Sequence, residues 1–349
     1  MRAMILAAGY GSRLRPLTDH LPKPLVPLVN RPLLEYIIGG IRAAGIQEIA
    51  LNLHYRGAQI RQWLGSGERF GVNVTYSEEP EILGSAGGVR RMRGFFGDGP
   101  ALVVHGDLLF DVDLRAVIQY HLLHAAHATL VLHPAYHRYN YGLVKVNAQG
   151  EIAQFVGQQA PWVAGPFIDT VFTGVQVLDP VVLDTIPAER VAILTTDIYP
   201  RLLSRAERFY GYLMQGYWSD VGTPHRYWEA NLDLLRGLVS PIEKRDGSEA
   251  QHTTAPHSRT IAHPQIQSSV ALDPTVRIGE KASVGPAVVA GEGCEIAAGA
   301  HVSMSILWPR VRIGQGAIIQ RSIILQDVTI PPGSRQVGKI VSASGTIDL

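Results

Sequence analysis

The sequence predicts an α/β domain with a mixed, mostly parallel β-sheet, followed by a smaller parallel β-helix. Three observations support this fold class. Short apolar runs alternate with helical stretches over residues 1–236, residues 237–263 are polar and aperiodic, and a six-residue repeat begins near residue 264. A chain of 349 residues is long enough for two domains with separate hydrophobic cores. We therefore expect a first domain over 1–236, a linker over 237–263 and a second domain over 264–349.

The secondary structure of the first domain follows from hydrophobic periodicity. Apolar runs predict strands at 3–6, 48–53, 72–76, 101–105 and 128–132. Apolar residues at helical spacing predict helices at 32–44, 56–65 and 112–125. Strands that alternate with helices favour a Rossmann-like arrangement, in which helices cover both faces of the sheet. Ligands then bind at the carboxyl ends of the strands.

The second domain is predicted from an aliphatic residue followed by a small one, recurring at spacings close to multiples of six. Such pairs include Ile278-Gly279, Val284-Gly285, Ile296-Ala297, Ile313-Gly314 and Ile330-Pro331. The repeat is typical of a parallel β-helix whose coils stack by their aliphatic corners, and it resembles left-handed β-helix domains. It weakens at 286–293 and 303–310, which leaves the number of coils and their register open. A β-sandwich is the alternative.

Composition and charge narrow the classes of partner. The 31 Lys and Arg residues nearly balance the 30 Asp and Glu residues, and the net charge of +1 argues against nucleic acid or an anionic membrane as the main partner. The single cysteine, Cys294, excludes an intramolecular disulfide and fits a reducing compartment. The chain has no apolar run of ~18 residues and no signal-like N-terminal segment. We expect a cytoplasmic protein.

A glycine-rich loop follows the first predicted strand. Gly9 and Gly11 allow backbone N–H groups to approach a polyphosphate closely. Cationic and hydroxyl side chains nearby can neutralise and bind it: Ser12, Arg13, Arg15 and Lys23. A dinucleotide fingerprint would need glycine where the chain has Leu14, and the spacing of a P-loop is absent. The loop therefore predicts a triphosphate site, with an ordinary glycine-rich turn as the alternative.

A carboxylate lies at the end of another predicted strand. Asp107 follows the apolar run 101–105 and a glycine, which places its side chain over the carboxyl edge of the sheet. Carboxylate oxygens are the ligands that Mg²⁺ prefers, so Asp107 is our candidate metal ligand. Asp111 and Asp113 could bind the same ion, although we expect them to cap the helix that begins near residue 113.

The glycine-rich loop also resembles a known signature. Residues 9–18 and 22–24 are similar to the pattern G-x-G-[ST]-R-L-x-P-[LM]-T…P-K-P of the sugar-1-phosphate nucleotidyltransferases. The resemblance implies an Mg²⁺-dependent transfer of a nucleotidyl group from an NTP to a sugar-1-phosphate, with release of pyrophosphate. It implies that Arg13, Lys23 and Asp107 are catalytic. In this reaction the sugar phosphate is itself the nucleophile, so no general base is needed.

Further motifs extend the resemblance over the first domain. Residues 217–224 match the family's W-x-D-x-G-T-P segment and imply Asp220 as a second metal ligand; the alternative is a helix cap, for which Thr223 is better placed. Residues 83–89 resemble the L-G-T-A-G-[GP] loop that contacts base and ribose, with a plain helix N-terminus as the alternative. The implied nucleotide-binding residues are Leu6, Ala8, Gly9, Gly11, Ser12, Arg13, Lys23, Gly84, Ser85 and Gly88. The implied sugar-binding residues are Tyr141, Gly142, Thr173 and Gly174.

One departure from the family concerns the sugar side. Relatives carry E-K-P after a strand of the type found here at 150–155, but this chain continues Val-Gly-Gln-Gln-Ala-Pro161. Lys145 or Arg138 could substitute for the missing lysine, although an exposed strand lysine is the more ordinary role for Lys145. The missing pair resembles N-acetylmuramate-1-phosphate uridylyltransferases, whereas the β-helix resembles mannose-1-phosphate guanylyltransferases. We expect GTP and mannose-1-phosphate as substrates.

Several alternatives stay open at this point. Another base or sugar is possible: a uridylyl-, thymidylyl- or adenylyltransferase acting on N-acetylmuramate- or glucose-1-phosphate. A regulatory relative could bind a nucleotide-sugar without turnover. An acyltransferase site in the β-helix would need a histidine, and His301 is the only one within the repeat. We expect His301 to be an ordinary surface residue and the β-helix to mediate formation of a homo-oligomer.

Overall fold

A computed structural model describes residues 1–134, 141–188, 190–239 and 269–349. Within these residues, the first domain contains fourteen strands: β1 (Arg2–Leu6), β2 (Pro27–Leu28), β3 (Arg31–Pro32), β4 (Glu48–Leu53), β5 (Asn73–Glu78), β6 (Ala101–His105), β7 (Leu108–Phe110), β8 (Ala128–His133), β9 (Leu143–Val146), β10 (Ile152–Phe155), β11 (Gln158–Gln159), β12 (Ile168–Leu178), β13 (Phe209–Leu213) and β14 (Trp218–Asp220). All five strands predicted from the sequence are confirmed to within two residues at each end.

The helices of this domain are α1 (Leu33–Ala43), α2 (Gly57–Leu64), α3 (Gly84–Arg91), α4 (Arg93–Phe96), α5 (Leu114–Leu123), α6 (Pro180–Thr185), α7 (Tyr199–Ser204) and α8 (Pro224–Leu235). The three predicted helices correspond to α1, α2 and α5. Short 3₁₀ turns cover Ser12–Leu14, Lys23–Leu25 and Glu68–Phe70, and a π-helical turn covers Leu194–Ile198. In the described parts of the chain, no helix has the length and apolarity to cross a bilayer.

A ten-stranded sheet forms the centre of the domain. Strands β6, β1, β4 and β5 are neighbours in this order, and all run parallel. The register pairs Leu6 with His105 on one side and with Asn52 on the other. These residues end their strands at the same edge, so the loops that follow β1 and β6 open onto one cleft.

The other half of the sheet is largely antiparallel. The long strand β12 runs antiparallel to β6, β8 and β9, and only β13 pairs in parallel with β8. The predicted mixed sheet with helices is confirmed. The extent of the antiparallel part was not predicted, because pairings between strands so distant in sequence leave no trace in local periodicity.

A second, two-stranded sheet lies above the carboxyl edge. Strand β14 pairs antiparallel with β7, so that Asp220 lies opposite Leu108. The Val221 N–H also donates to the carbonyl of Asp107 at 2.8 Å. This pairing brings together two segments more than a hundred residues apart in the chain, and it places Asp220 beside Asp107.

The second domain is a parallel β-helix, which confirms the prediction and rules out the β-sandwich. Its strands form three sheets, one for each face. The first face contains β15 (Val270–Leu272), β18 (Val288–Ala290), β21 (Ile306–Leu307), β24 (Ile323–Ile324), β27 (Lys339–Ser342) and β28 (Gly345–Asp348). The second face contains β16 (Arg277–Ile278), β19 (Glu295–Ile296), β22 (Arg312–Ile313) and β25 (Thr329–Ile330). The third face contains β17 (Ser283–Val284), β20 (His301–Ser303), β23 (Ile318–Gln320) and β26 (Arg335–Val337). The arrangement agrees with a left-handed β-helix. Antiparallel pairing of β28 with β27 ends the stack.

The irregular repeat has a structural cause. Val270 pairs with Val288 across a coil of 18 residues, but Ile306 pairs with Ile323 across a coil of 17. The corner before β21 and the corner before β24 are each one residue short. Ser305 fills the first of these corners, where its buried hydroxyl accepts the Ser322 N–H at 3.1 Å. The loss of one residue per coil explains why a strict six-residue repeat fails around 303–310.

Helix α8 joins the two domains. The Trp228 indole donates to the carbonyl of Met304 at 2.7 Å, and the Trp308 indole donates to the Tyr227 hydroxyl at 2.9 Å. The Tyr227 hydroxyl in turn donates to the carbonyl of Pro27 at 2.7 Å. The β-helix is therefore bonded to the helix that follows Asp220 and, through it, to the segment after Lys23. The predicted linker lies almost entirely outside the described residues, and its boundaries stay a prediction.

Candidate active site

A cleft of about 240 Å³ opens at the carboxyl edge of the parallel strands. It is lined by the ends of β1, β4 and β6, by the loops that follow β1 and β6, and by the segment from β5 into α3: Leu6, Ala7, Ala8, Gly9, Lys23, Pro24, Asn52, Ile82, Gly84, Ser85, His105, Gly106 and Asp107. Seven of the residues predicted to bind nucleotide or metal line this cleft. A position at the strand ends is where an open α/β sheet binds its ligands.

The glycine-rich loop folds back on itself over one end of the cleft. Gly11 has φ +63°, and a Cβ atom there would lie 3.1 Å from Thr18 Cγ2 and 3.2 Å from Lys23 Cβ. The buried Thr18 hydroxyl donates to the carbonyl of Gly11 at 2.8 Å. Only glycine fits this turn without strain, because the backbone is left-handed and the space is already filled. The turn leaves Ser12 and Arg13 exposed.

Lys23 and Asp107 form an ion pair in the cleft. The Lys23 Nζ lies 2.5 Å from Asp107 Oδ2, and the two side chains are 12% and 27% exposed. Burial acts to raise the pKa of the Asp107 carboxyl, but Lys23, His105 and Arg13 together outweigh it, and the pKa falls below its ordinary value. Burial lowers the pKa of the His105 imidazole, against the opposing charge of Asp107. The site thus holds an ionised carboxylate beside a neutral imidazole at pH 7.

Asp220 lies next to this pair, held by a second cation. Its Oδ1 accepts a hydrogen bond from Arg226 on the first turn of α8. A Cβ atom on Gly222 would lie 2.7 Å from Asp220 Oδ2 and 3.7 Å from Arg13 Nη2. Gly222 therefore lets the Arg13 guanidinium approach the Asp220 carboxylate. The structure brings together all three predicted catalytic residues and both predicted metal ligands.

A second loop closes the opposite end of the cleft. Helix α3 begins at Gly84, whose φ is +75° and whose Cβ, if present, would lie 2.5 Å from the carbonyl oxygen of Ala192. That carbonyl accepts the Ala86 N–H at 2.9 Å. The Ser85 hydroxyl accepts the Leu194 N–H at 2.9 Å. The loop is thus both a helix N-terminus and a wall of the cleft, and residues 190–194 hold it in place.

A buried polar chain connects the two loops and was not predicted. The Ala7 N–H donates to Asn52 Oδ1 at 2.8 Å, and Asn52 Nδ2 donates to Glu79 Oε1 at 2.9 Å. Glu79 Oε2 accepts the Leu83 N–H at 3.0 Å. Asn52 and Glu79 are 4% and 3% exposed. They fix the distance between the loop that follows β1 and the loop before α3. Two polar residues at the ends of predicted strands were the only signal in the sequence.

Comparison with known proteins places these residues in a family. A family model for nucleotidyl transferases matches residues 2–237, which cover the whole α/β domain described above. The chain belongs to the nucleotidyl transferase family. A second model, for the GMPPB C-terminal domain, matches residues 266–346. The two family models together match both domains of the chain.

Curated relatives align with this chain over most of both lengths. A UTP–glucose-1-phosphate uridylyltransferase from Synechocystis is 30% identical over 100% of this chain and 89% of its own. A probable mannose-1-phosphate guanylyltransferase from Arabidopsis thaliana is 32% identical over 93% of this chain and 86% of its own. A Bacillus anthracis structure assigned as a glucose-1-phosphate thymidylyltransferase superposes with TM-score 0.56 at 25% identity, covering 66% of this chain and 94% of that one. The prediction of a sugar-1-phosphate nucleotidyltransferase, rather than a non-catalytic relative, is confirmed.

The predicted sugar-side residues are only partly brought together. Tyr141 accepts a hydrogen bond from Arg226 and so lies beside the metal-ligand candidates. A Cβ atom on Gly174, whose φ is +90°, would lie 2.8 Å from His105 Nδ1, so glycine is required where β12 passes the cleft. Thr173 is 2% exposed and its hydroxyl donates to the carbonyl of Val131 at 2.8 Å. The Thr173 hydroxyl is thus bonded within the sheet, and a sugar contact at this residue stays a prediction.

The structure gives Gly142 and Lys145, one of the two proposed substitutes for the missing lysine, contacts within the sheet region. A Cβ atom on Gly142 would lie 2.8 Å from Val156 Cγ2, so this glycine lets two strands approach each other. Lys145 is 34% exposed and pairs with Asp169 of the neighbouring strand at 3.6 Å, as expected for a strand lysine. Arg138 lies outside the described residues.

The remaining candidates have structural roles. Asp113 caps α5 by accepting the Arg115 N–H at 2.9 Å, as predicted. Asp111 does not cap this helix; it is buried and accepts the Tyr217 N–H at 2.7 Å, which anchors the chain before β14. Thr223 caps α8, as predicted. His301 is exposed on a face of the β-helix, where its Nδ1 lies 2.8 Å from the Ser283 hydroxyl.

Proposed function

We propose that this nucleotidyltransferase uses one Mg²⁺ ion, held by Asp107 and Asp220, to transfer a guanylyl group from GTP to mannose-1-phosphate. The observation that carries the proposal is the convergence of Arg13, Lys23 and the two carboxylates at the strand ends. Lys23 and Asp107 line the cleft, and Arg13 and Asp220 lie beside them; two cations and two carboxylates so placed suit a reaction between two phosphate-bearing substrates with a metal between them.

The donor set fits a magnesium ion that binds together with its substrate. Among the described residues there is no group of three or more His, Cys, Asp or Glu side chains that could hold a metal alone. Mg²⁺ commonly uses one or two protein carboxylates and completes its octahedron with water and substrate phosphates. When bound, the ion would neutralise phosphate charge near the reacting phosphorus.

The protein's own residues supply position and charge. In the proposed reaction an oxygen of the sugar phosphate attacks the α-phosphorus of the NTP, and pyrophosphate leaves with the electrons of the broken P–O bond. Arg13 and Lys23 would bind the triphosphate and stabilise the charge that develops on it. Asp107 in turn keeps the Lys23 ammonium at a fixed place in the cleft.

The choice of substrates rests on the relatives. Two lines favour GTP and mannose-1-phosphate: the matches to mannose-1-phosphate guanylyltransferases and the match of the second domain to a GMPPB C-terminal domain. The uridylyltransferase from Synechocystis, which aligns over the full chain, supports UTP and glucose-1-phosphate as the second candidate pair. Self-association through the β-helix remains a prediction.

Pyrophosphate release tests both the reaction and the substrates. ATP, GTP, UTP and dTTP are each combined with mannose-, glucose- and N-acetylmuramate-1-phosphate, with Mg²⁺ or with EDTA. We expect the highest kcat/KM for GTP with mannose-1-phosphate and no turnover in EDTA. A preference for UTP with glucose-1-phosphate would overturn the substrate assignment alone. Full activity in EDTA would contradict the metal site.

A further inference from the structure

An arginine that sequence analysis did not single out contacts one of the two candidate metal ligands. Arg226 stands on the first turn of α8, six residues after Asp220. One of its terminal nitrogens, Nη1, contacts both the Asp220 carboxylate and the Tyr141 hydroxyl. The guanidinium carbon also lies 5.1 Å from the centre of the Tyr141 ring. The side chains of Arg226 and Asp220 are 24% and 10% exposed, so the contact is largely shielded from water.

We propose that Arg226 binds the phosphate group of the sugar-1-phosphate and presents it to the nucleotide. This inference rests on the proposed function, because it needs a phosphorylated acceptor. The site must hold two anionic substrates at once, and each needs its own cation. Arg13 and Lys23 lie on the side of the glycine-rich loop, whereas Arg226 approaches Asp220 from α8. The two sets of cations thus enter the cluster from different elements.

The contact with Asp220 shows what Arg226 can bind. It places an anionic oxygen against a guanidinium nitrogen in a partly dehydrated site. A phosphate oxygen has the same charge and hydrogen-bonding character, and the planar guanidinium matches phosphate geometry better than an ammonium does. In the proposed reaction Asp220 also faces the metal, so its carboxylate would be shared between the ion and Arg226, which keeps the acceptor phosphate close to both.

Tyr141 orients the guanidinium. Its ring centre lies within cation–π distance of the guanidinium carbon, and its hydroxyl accepts a hydrogen bond from the same nitrogen that contacts Asp220. Burial, together with the nearby Asp220 charge, raises the pKa of the Tyr141 phenol, so it stays neutral over the working range. The neutral phenol and the aromatic face hold the cation without cancelling its charge. Tyr141 is therefore a positioning residue for Arg226.

Steady-state kinetics of Arg226 variants distinguish an effect on the sugar-1-phosphate from an effect on the NTP. Arg226→Met removes the charge and keeps the bulk of the side chain, and Arg226→Lys restores the charge without the planar fork. Arg236→Met is the matched control, because Arg236 lies just beyond the other end of α8 and is 51% exposed. For Arg226→Met we expect the KM for the sugar-1-phosphate to rise at least ~10-fold, with the KM for the NTP within about twofold, since a charged phosphate contact is lost. Arg226→Lys should lie between Arg226→Met and the wild type.

Equilibrium binding gives a second readout that does not depend on turnover. Calorimetry compares the sugar-1-phosphate with the same sugar lacking phosphate. Arg226→Met should weaken binding of the phosphorylated sugar and leave binding of the free sugar unchanged. An equal rise in both KM values, or an equal loss of affinity for both sugars, would overturn the inference and assign Arg226 a purely structural role. If Arg226→Met does not fold, the same comparison for Arg226→Lys decides.

The outcome is distinguishable from a failure of the proposed function. If the wild-type protein turns over no pair of NTP and sugar-1-phosphate, the proposed function fails. If the wild type is active but the Arg226 variants affect both substrates alike, only the role of Arg226 fails.

Discussion

Glu79→Gln exchanges one carboxylate oxygen for an NH₂ group in the buried chain between the two loops of the cleft. The two Glu79 oxygens accept from Asn52 Nδ2 at 2.9 Å and from the Leu83 N–H at 3.0 Å. A glutamine offers one acceptor and one donor, so one of these N–H groups must face another donor. Flipping the Asn52 amide does not help, because its Oδ1 already accepts the Ala7 N–H at 2.8 Å.

The size of the effect follows from these contacts. The variant loses one hydrogen bond to a charged acceptor and leaves a buried N–H unpaired, a combination that costs about 2–4 kcal/mol. Because the chain connects the two loops, we also expect the KM for the nucleotide to rise. Glu78→Gln is the matched control, since Glu78 is the preceding residue, is 61% exposed and pairs with Arg61 on the surface.

Urea unfolding and nucleotide kinetics measure the two consequences. Glu79→Gln should lower the free energy of unfolding by about 2–4 kcal/mol, and Glu78→Gln by no more than about 0.5 kcal/mol. A loss below about 1 kcal/mol for Glu79→Gln, together with an unchanged nucleotide KM, would refute the role of this buried chain.

Two further predictions concern the domain interface and a buried histidine. Tyr227→Phe removes the hydroxyl that joins Trp308 to Pro27, so urea unfolding should show a loss of about 2–4 kcal/mol. Tyr76→Phe removes a solvent-exposed hydrogen bond from a half-buried tyrosine to the carbonyl of Gly65 and should lose under about 1 kcal/mol. Equal losses in the two variants would argue against this interface. Burial lowers the pKa of His121 to about 4, below the value of an unfolded histidine. The unfolded chain therefore binds the extra proton first, and stability should fall by up to about 3 kcal/mol as the pH drops from about 6.5 to 4. His121→Gln should flatten this part of the pH profile of unfolding; an unchanged slope would contradict the assignment.

Local patterns predicted the elements of the fold well. Strands such as β1 and β6 are continuous apolar runs because both of their faces are buried, and helices such as α1 carry an apolar stripe that packs on the sheet. The pairing of β12 with β6, β8 and β9 was not predictable in this way, because strand order depends on contacts between distant segments. The length of the β-helix coils depends likewise on how corners pack between coils.

In the candidate site, too, some residues could be found from local sequence, whereas others depend on contacts between distant segments. Gly11 and Lys23 stand in an ordered motif, and Asp107 follows a buried strand, so local sequence was enough to find them. Asn52 and Glu79 were missed because each has an ordinary polar identity, and only the adjacency of β4 and β5 turns them into one buried chain. Arg226 was missed because it reads as an exposed helix residue until β14 and α8 place it against Asp220.

Pyrophosphate release by Asp107→Asn shows whether Lys23, Asp107 and Asp220 form the reaction centre. The variant is measured with Mg²⁺ and the best substrate pair, beside Asp113→Asn, which makes the same chemical change at a helix cap that asparagine also suits. With folding confirmed by urea unfolding, we predict that kcat/KM falls at least ~100-fold for Asp107→Asn and less than about twofold for Asp113→Asn. Activity of Asp107→Asn within about threefold of the wild type would contradict the claim.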